Sequence, residues 1–184
     1  MLRRLIPFLL LLPLTTPAAE PATLIKLCHD DVDLAPWVLR NGKGLSQDLI
    51  LMAAQQIQPQ LEIEMLPTAW PRCLKLLESG QVDGAFSTSY LPARLGYAVF
   101  PSKADGQPDP TRRLSSLSYS LYVGKNTKIE WNGRKLRNLS GPVGIQHGFS
   151  IGQLITELGA EAKPLSRDTR ELLRHVAAGH VEAA

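Results

Sequence analysis

From Leu24 onward, short apolar runs alternate with stretches whose apolar residues recur every three or four positions. Residues 24–28 read as a strand. Leu45, Leu49, Ala53 and Ile57 follow at helical spacing behind Ser46, with Pro59 as the stop. The run Leu61-Glu62-Ile63-Glu64-Met65 alternates with period two, as a half-buried strand does. Residues 68–79 read as a helix with Pro71 in its first turn and Gly80 just past its end, and residues 82–86 as a third strand. Residues 101–113 hold three prolines, Gly106 and several charges without periodicity, which predicts an exposed loop. Beyond it, residues 119–123 and 142–146 read as strands and residues 151–158 as a helix ended by Gly159. A last helix opens on the capping-box pair Asp168 and Glu171 and ends at Gly179. Strands alternating with helices predict βαβ units and parallel sheet.

The second half repeats the first in one place. Residues 77–85, LESGQVDGA, match residues 176–184, VAAGHVEAA, at an offset of 99 residues. Both read as helix end, glycine turn and strand, which predicts two lobes of similar topology. The 184 residues stop inside that second strand, where a lobe is not expected to end. The expectation is a piece of a longer protein with part of its second sheet missing.

The N-terminus changes the reading of charge and compartment. Arg3 and Arg4 precede the apolar run 5–14 and the small-residue stretch 15–19. This is the pattern of a secretory signal peptide cleaved after Ala18 or Ala19, too short to span a bilayer; a retained interfacial anchor is the alternative. The expected organisation is a leader over 1–19, a first lobe over 20–118, and a crossover with a partial second lobe over 119–184. Removing Arg3 and Arg4 leaves 18 basic against 17 acidic residues, so the formal charge falls from +3 to +1. No run of Lys and Arg interleaved with aromatics remains, which argues against a nucleic-acid partner. Export to the periplasm, which is oxidising, makes Cys28 and Cys73, the two cysteines of the chain, candidates for a disulfide.

The block LLESGQVDGAFSTSYLPAR over residues 76–94 resembles solute-binding protein family 3, the periplasmic proteins that serve polar amino acid uptake by ABC transporters. Ala35-Pro36-Trp37, residues 44–53 and Val143-Gly144-Ile145-Gln146-His147-Gly148 support the resemblance, which spans 24–184. It implies an α/β fold of the type II periplasmic binding proteins, with ligand between two parallel-dominated lobes. Ligands of open α/β sheets lie beyond the carboxyl ends of the strands, here residues 29–37, 67–72 and 87–94. In a sheet ordered 2-1-3, the helix joining strands two and three crosses strand one, which sets Cys73 above Cys28; the alternative is two buried thiols in contact.

The resemblance also implies site residues. Arg94 matches the position whose guanidinium pairs with a ligand carboxylate, and its planar fork suits two oxygens. Ser87 and Ser89 match polar positions facing the ligand. Gly148, Phe149 and Ser150 match the second lobe's contribution, where N–H groups at a helix start hold the same carboxylate. Trp70 falls where an aromatic ring stacks on the ligand, with Trp37 nearby; core packing is the alternative for both. Where members stack a second aromatic ring this chain has Leu34, which weakens the case for a basic or aromatic ligand. Asp31 sits where basic-ligand members place an acid. The run 28–33, CHDDVD, also raises a metal site. The cysteine has a better partner, however, and no second ligand motif follows, so the aspartates read as a solvated loop with Asp31 alone facing the cleft.

The expected function is capture of a small carboxylate-bearing solute, most plainly an amino acid, by a monomer that delivers it to an inner-membrane ABC permease. No metal or other cofactor is expected. Alternatives are a ligand-sensing module of a signalling protein and, with less support, a periplasmic dehydratase or a domain beside a lytic transglycosylase. No Ser-His-Asp, Cys-His or zinc-ligand constellation is visible, which argues against an enzyme.

Overall fold

The computed structural model describes residues 22–57 and 61–184. The leader expected over 1–19 and the helix stop expected at Pro59 lie outside the described residues. The first sheet is built on β1 (Thr23–Asp30), joined through α1 (Leu45–Gln55) to β2 (Leu61–Thr68) and then through α2 (Trp70–Glu78) to β3 (Gly84–Ala85). All pairings are parallel and the order is β2-β1-β3, the one that carries α2 across β1. β1 and β2 stay in register from Thr23 opposite Leu61 to Asp30 opposite Thr68.

Several boundaries differ from the sequence reading, each for a local reason. β1 runs two residues past Cys28 because β2 continues to Thr68 and keeps it paired. Pro67 is tolerated in β2 because that strand lies at the sheet edge. The helix expected from residue 68 therefore starts at Trp70, with Pro71 in its first turn as anticipated. α1 starts at Leu45 rather than behind Ser46. Gln47 reaches back so that its Oε1 accepts the Gly44 N–H at 2.8 Å and the Leu39 N–H at 3.0 Å, and a Cβ at Gly44 would collide with the Trp37 carbonyl. The strand expected over 82–86 shrinks to β3, since the Asp83 carboxylate takes the Lys26 N–H at 2.8 Å that a ladder carbonyl would otherwise take.

The loop expected over 101–113 is irregular except for a short 3-10 turn, Pro110–Arg112, and a bridge between Ser102 and Pro108. A small antiparallel hairpin of β4 (Glu130–Trp131) and β5 (Leu136–Arg137) precedes the second sheet. There β6 (Val143–Gln146) leads through α3 (Ile151–Glu157) to the parallel β7 (Ala162–Ser166) and on into α4 (Thr169–Ala177). The sequence reading did not contain β4, β5 or β7. It expected a strand over 119–123, of which only the end is paired. Tyr122 and Ala184 exchange N–H···O bonds of 2.8 and 2.9 Å, and Val123 bridges Ala183. At the start of α4, Asp168 accepts the Glu171 N–H at 3.0 Å as expected. Glu171 does not return the bond: its carboxylate takes the Ser166 hydroxyl at 2.6 Å, while Ser166 Oγ accepts the Asp168 N–H at 3.0 Å.

The internal repeat corresponds to a shared register. Gly84 lies opposite Leu27 in the first sheet, and Ala183, 99 residues later, lies parallel to Val143 in the second. Gly80 and Gly179, with φ of 68° and 71°, turn the two helix ends into these strands, and Val82 and Val181 are both buried. Each sheet has its own core: Cys28, Trp70, Cys73 and Val82 in one, and Val143, Ile145, Ile155 and Ala183 in the other. No helix among the described residues is long and apolar enough to cross a membrane.

Cys28 and Cys73 are joined by a disulfide, with Cα atoms 5.6 Å apart and both side chains fully buried. It clamps α2 onto the central strand and closes a loop of 45 residues. Reduction, or the pair of Cys→Ser substitutions, is expected to lower the unfolding free energy by about 4 kcal/mol, the loop-closure value for that span. Urea unfolding with and without reductant reads this directly, and coincident curves would show that the bond contributes nothing to stability.

Candidate functional site

Parallel strands release their loops at one end, so the carboxyl ends of β1 and β3 and those of β6 and β7 open onto common ground between the sheets. A cleft of about 1480 Å3 lies there, with walls from both lobes. Of the residues singled out from sequence, Trp70, Ser87, Ser89, Arg94, Phe149 and Ser150 line it.

Arg94 sits in a 3-10 turn, Pro92–Gly96, begun by the proline, and its side chain is buried despite its charge. Nη1 donates to Thr88 Oγ1 at 2.9 Å and to the Ser89 carbonyl at 2.7 Å, and Nη2 donates to the Gly148 carbonyl at 3.2 Å. The guanidinium carbon stands 5.6 Å from the centre of the Trp70 ring, within cation–π range. Every acceptor is neutral, and no carboxylate among the described residues pairs with it. Burial pushes its pKa below the ordinary arginine range, and the nearby hydroxyls of Tyr97 and Tyr119 pull the other way. A buried cation without a counter-charge is costly, so this cleft end favours an anion.

The second lobe meets this group directly. The Gly148 carbonyl accepts from Trp70 Nε1 at 3.0 Å as well as from Arg94, joining the lobes at one atom. Gly148 has φ of +76°, and a Cβ there would lie 3.2 Å from Trp70 Cδ1, so both conformation and space call for glycine. Here residue 148 presents its carbonyl, where the resemblance implied an N–H group. Ser150 is the N-cap of α3 but does not cap it through its side chain; its hydroxyl is 2.9 Å from that of Tyr119. Ser87 is left-handed, φ +57°, an uncommon state for a residue with a side chain, and its buried hydroxyl has no protein partner.

Three expected residues are not on the cleft wall: Gly148, which meets Arg94 and Trp70 through its carbonyl, Trp37 and Asp31. Trp37 is half-buried beside Gly44 and contributes its carbonyl to the Ser46 N–H at 2.8 Å. Asp31 lies in a smaller adjoining recess, where it pairs with Arg167 from the end of β7. Of the aspartates expected in a solvated loop, Asp33 is exposed beyond the strand, whereas Asp30 is withdrawn from that loop because β1 extends that far. It is Asp30 that reaches the cleft: it is buried, receives the backbone N–H groups of Trp70 and Val32, and stands 3.5 Å from Arg167. Its neighbour His29 is fully buried, with Nδ1 2.8 Å from the Asp30 carbonyl and its ring against Phe86. Sequence reasoning missed Asp30, Thr88, Tyr119 and Arg167. The extended β2 pattern through Thr68 could have carried Asp30 into the strand; nothing local marks Arg167.

Neither a family model nor a curated protein sequence matches this chain. Solved structures do. An ancestral arginine-binding protein bound to arginine shares 20% identity at a TM-score of 0.60, covering 87% of this chain and 68% of its own. An ancestral amino acid-binding protein described as a precursor of cyclohexadienyl dehydratase matches at 20% identity and 0.58, with the same coverage. A binding component of an ABC transporter from Wolinella succinogenes, complexed with lysine, matches at 14% and 0.56, covering 87% of this chain and 66% of its own. The chain has the type II periplasmic binding protein fold. It spans about two thirds of the length of these binding proteins. Arg94, Trp70 and Ser87 converge on the cleft between the two lobes.

Burial raises the Asp30 pKa above its ordinary value of 3.8, with Arg167 and the backbone donors opposing it. The native state then holds this proton at pH values where the unfolded chain has lost it, so Asp30 makes stability fall as pH rises from about 3.8 through its native pKa. The Asp30→Asn variant lacks this contribution. Its stability minus that of the wild type is expected to grow across the window and level off above it, as read by urea midpoints at stepped pH; parallel curves would contradict the assignment.

Proposed function

We propose that the chain captures a small carboxylate-bearing solute in its cleft, without chemical change, and that an amino acid is the favoured case. The observation that carries this reading is Arg94: a buried guanidinium at the meeting point of the lobes with only neutral partners among the described residues. A carboxylate arriving there gains a charge-assisted partner in a buried guanidinium whose planar fork suits two oxygens. The Trp70 face offers an apolar surface beside it, and the unpartnered Ser87 hydroxyl offers a donor or acceptor. Ser89 and Ser150 add to the polar lining. Amino-acid ligands in the proteins of like fold support the choice of solute class.

In this reading the protein is a periplasmic component exported by its leader, and an inner-membrane ABC permease is its partner. The organisation is a first lobe over 20–118 and the beginning of a second over 119–184. Binding without catalysis fits the chemistry around the cleft: behind its wall the cysteine thiols are consumed in the disulfide, and the buried His29 faces Phe86 and Gln47 rather than a nucleophile.

Calorimetric titration of the full-length protein against amino acids and small carboxylates tests the reading. Truncating one side of a buried charge pair costs about 2 kcal/mol or more, so Arg94→Ala is expected to weaken binding by at least about 30-fold. No heat from any member of the panel, or equal affinity in the variant, would overturn it.

A further inference from the structure

The acid end of the cleft carries its own cation. Asp30 and Asp31 are consecutive at the end of β1, and one guanidinium, that of Arg167, serves both from the opposite lobe. Its Nη2 stands 3.5 Å from Asp30 Oδ1 and is in contact with Asp31 Oδ1. Among the described residues Arg167 forms ion pairs with these two carboxylates and not with Asp168 or Glu171, which line the same recess. Arg40 donates its Nε to the Asp31 carbonyl rather than to a carboxylate. The Asp168 carboxylate is taken by the Glu171 N–H, and the Glu171 carboxylate by the Ser166 hydroxyl. Arg167 is thus free to face β1, and Asp30, which lines the cleft, is met by a protein cation before any solute arrives.

We infer that Arg167 is a specificity-determining residue: it supplies an internal counter-cation at the acid end, so that the cleft selects carboxylate solutes whose far end is neutral or anionic over those ending in a cation. This rests on the proposed solute-binding function. The physical argument is a comparison of two states. With Arg167 in place, a solute guanidinium or ammonium reaching Asp30 meets a like charge a few ångströms away, and such juxtapositions discriminate strongly because the penalty falls on the wrong ligand alone. Without Arg167, the buried Asp30 carboxylate loses the cation it faces across the gap and attracts that of the solute. The same guanidinium bridges the lobes, so its pair with Asp30 and Asp31 also favours the closed arrangement before solute binds.

The test uses the full-length protein, glutamine, glutamate and arginine as probes, and three forms: wild type, Arg167→Gln and Arg167→Lys. Wild type is expected to bind glutamine or glutamate at least tenfold more tightly than arginine. In Arg167→Gln the ratio should move toward arginine by at least tenfold, and in Arg167→Lys, which keeps the charge, it should stay near wild type. Wild type that prefers arginine, or a ratio unchanged by Arg167→Gln, overturns the inference while leaving solute binding intact. Should none of the probes bind wild type, the solute-binding reading falls for this panel. The counter-cation is then judged without ligand, by the distance between spin labels at exposed positions 78 and 163. Arg167→Gln is expected to lengthen or broaden that distance, and an unchanged distribution overturns the inference.

Discussion

Everything that positions the cleft depends on the central strand of the first sheet. β1 is flanked by β2 and β3 and covered by α2, so from Cys28 onward its side chains are withdrawn from water. That constraint acts on four consecutive residues in four ways. Cys28 is locked to Cys73, His29 is buried against Phe86, Asp30 is carried to the cleft, and Asp31, one step past the last pair, turns to Arg167. Because the disulfide fixes α2 to the same strand, Trp70 at the start of α2 is held by the clamp that sets Asp30. The two cleft ends are therefore referenced to one rigid element.

The electrostatics of the cleft follow from how little buried charge the fold leaves free. Arg94 is compensated only by carbonyl and hydroxyl dipoles, whereas Asp30 is compensated by a full charge from across the gap. Both groups are drawn from their ordinary pKa by burial, in opposite directions, yet only one has an ionic partner. A site with one unpaired cation and one paired acid is asymmetric. Under the proposed function, that asymmetry anchors the solute by its carboxylate and disfavours a second positive charge.

Sequence reading was strongest where pattern and register are local. The period-two run at Leu61, the glycine turns at Gly80 and Gly179 and the repeat at offset 99 all encode backbone geometry through neighbours, whereas the sheet order that placed Cys73 over Cys28 came from the family resemblance. Short strands carried less signal. β7 contains Pro164 and lacks clean alternation, and the two-residue strands β4 and β5, joined by the four-residue loop 132–135, are too short to show a period. What the residues could not reveal were partners distant in sequence. Arg167 lies 136 positions from Asp31, and only the meeting of two lobes makes them neighbours.

The repeat gives that meeting its logic. Two sheets of like topology, each presenting the carboxyl ends of its parallel strands, face each other with like parts. The end of β1 meets the end of β7, and the turn after β3 meets the turn after β6. Each contact joins a charged side chain to a group fixed by strand register, so a small rotation of one lobe breaks both at once. Arg94 with the Gly148 carbonyl and Arg167 with the β1 carboxylates are thus two ends of one closure. Under the proposed function, a solute that replaces or reinforces either contact shifts the balance between the lobes' arrangements by its differential affinity for them.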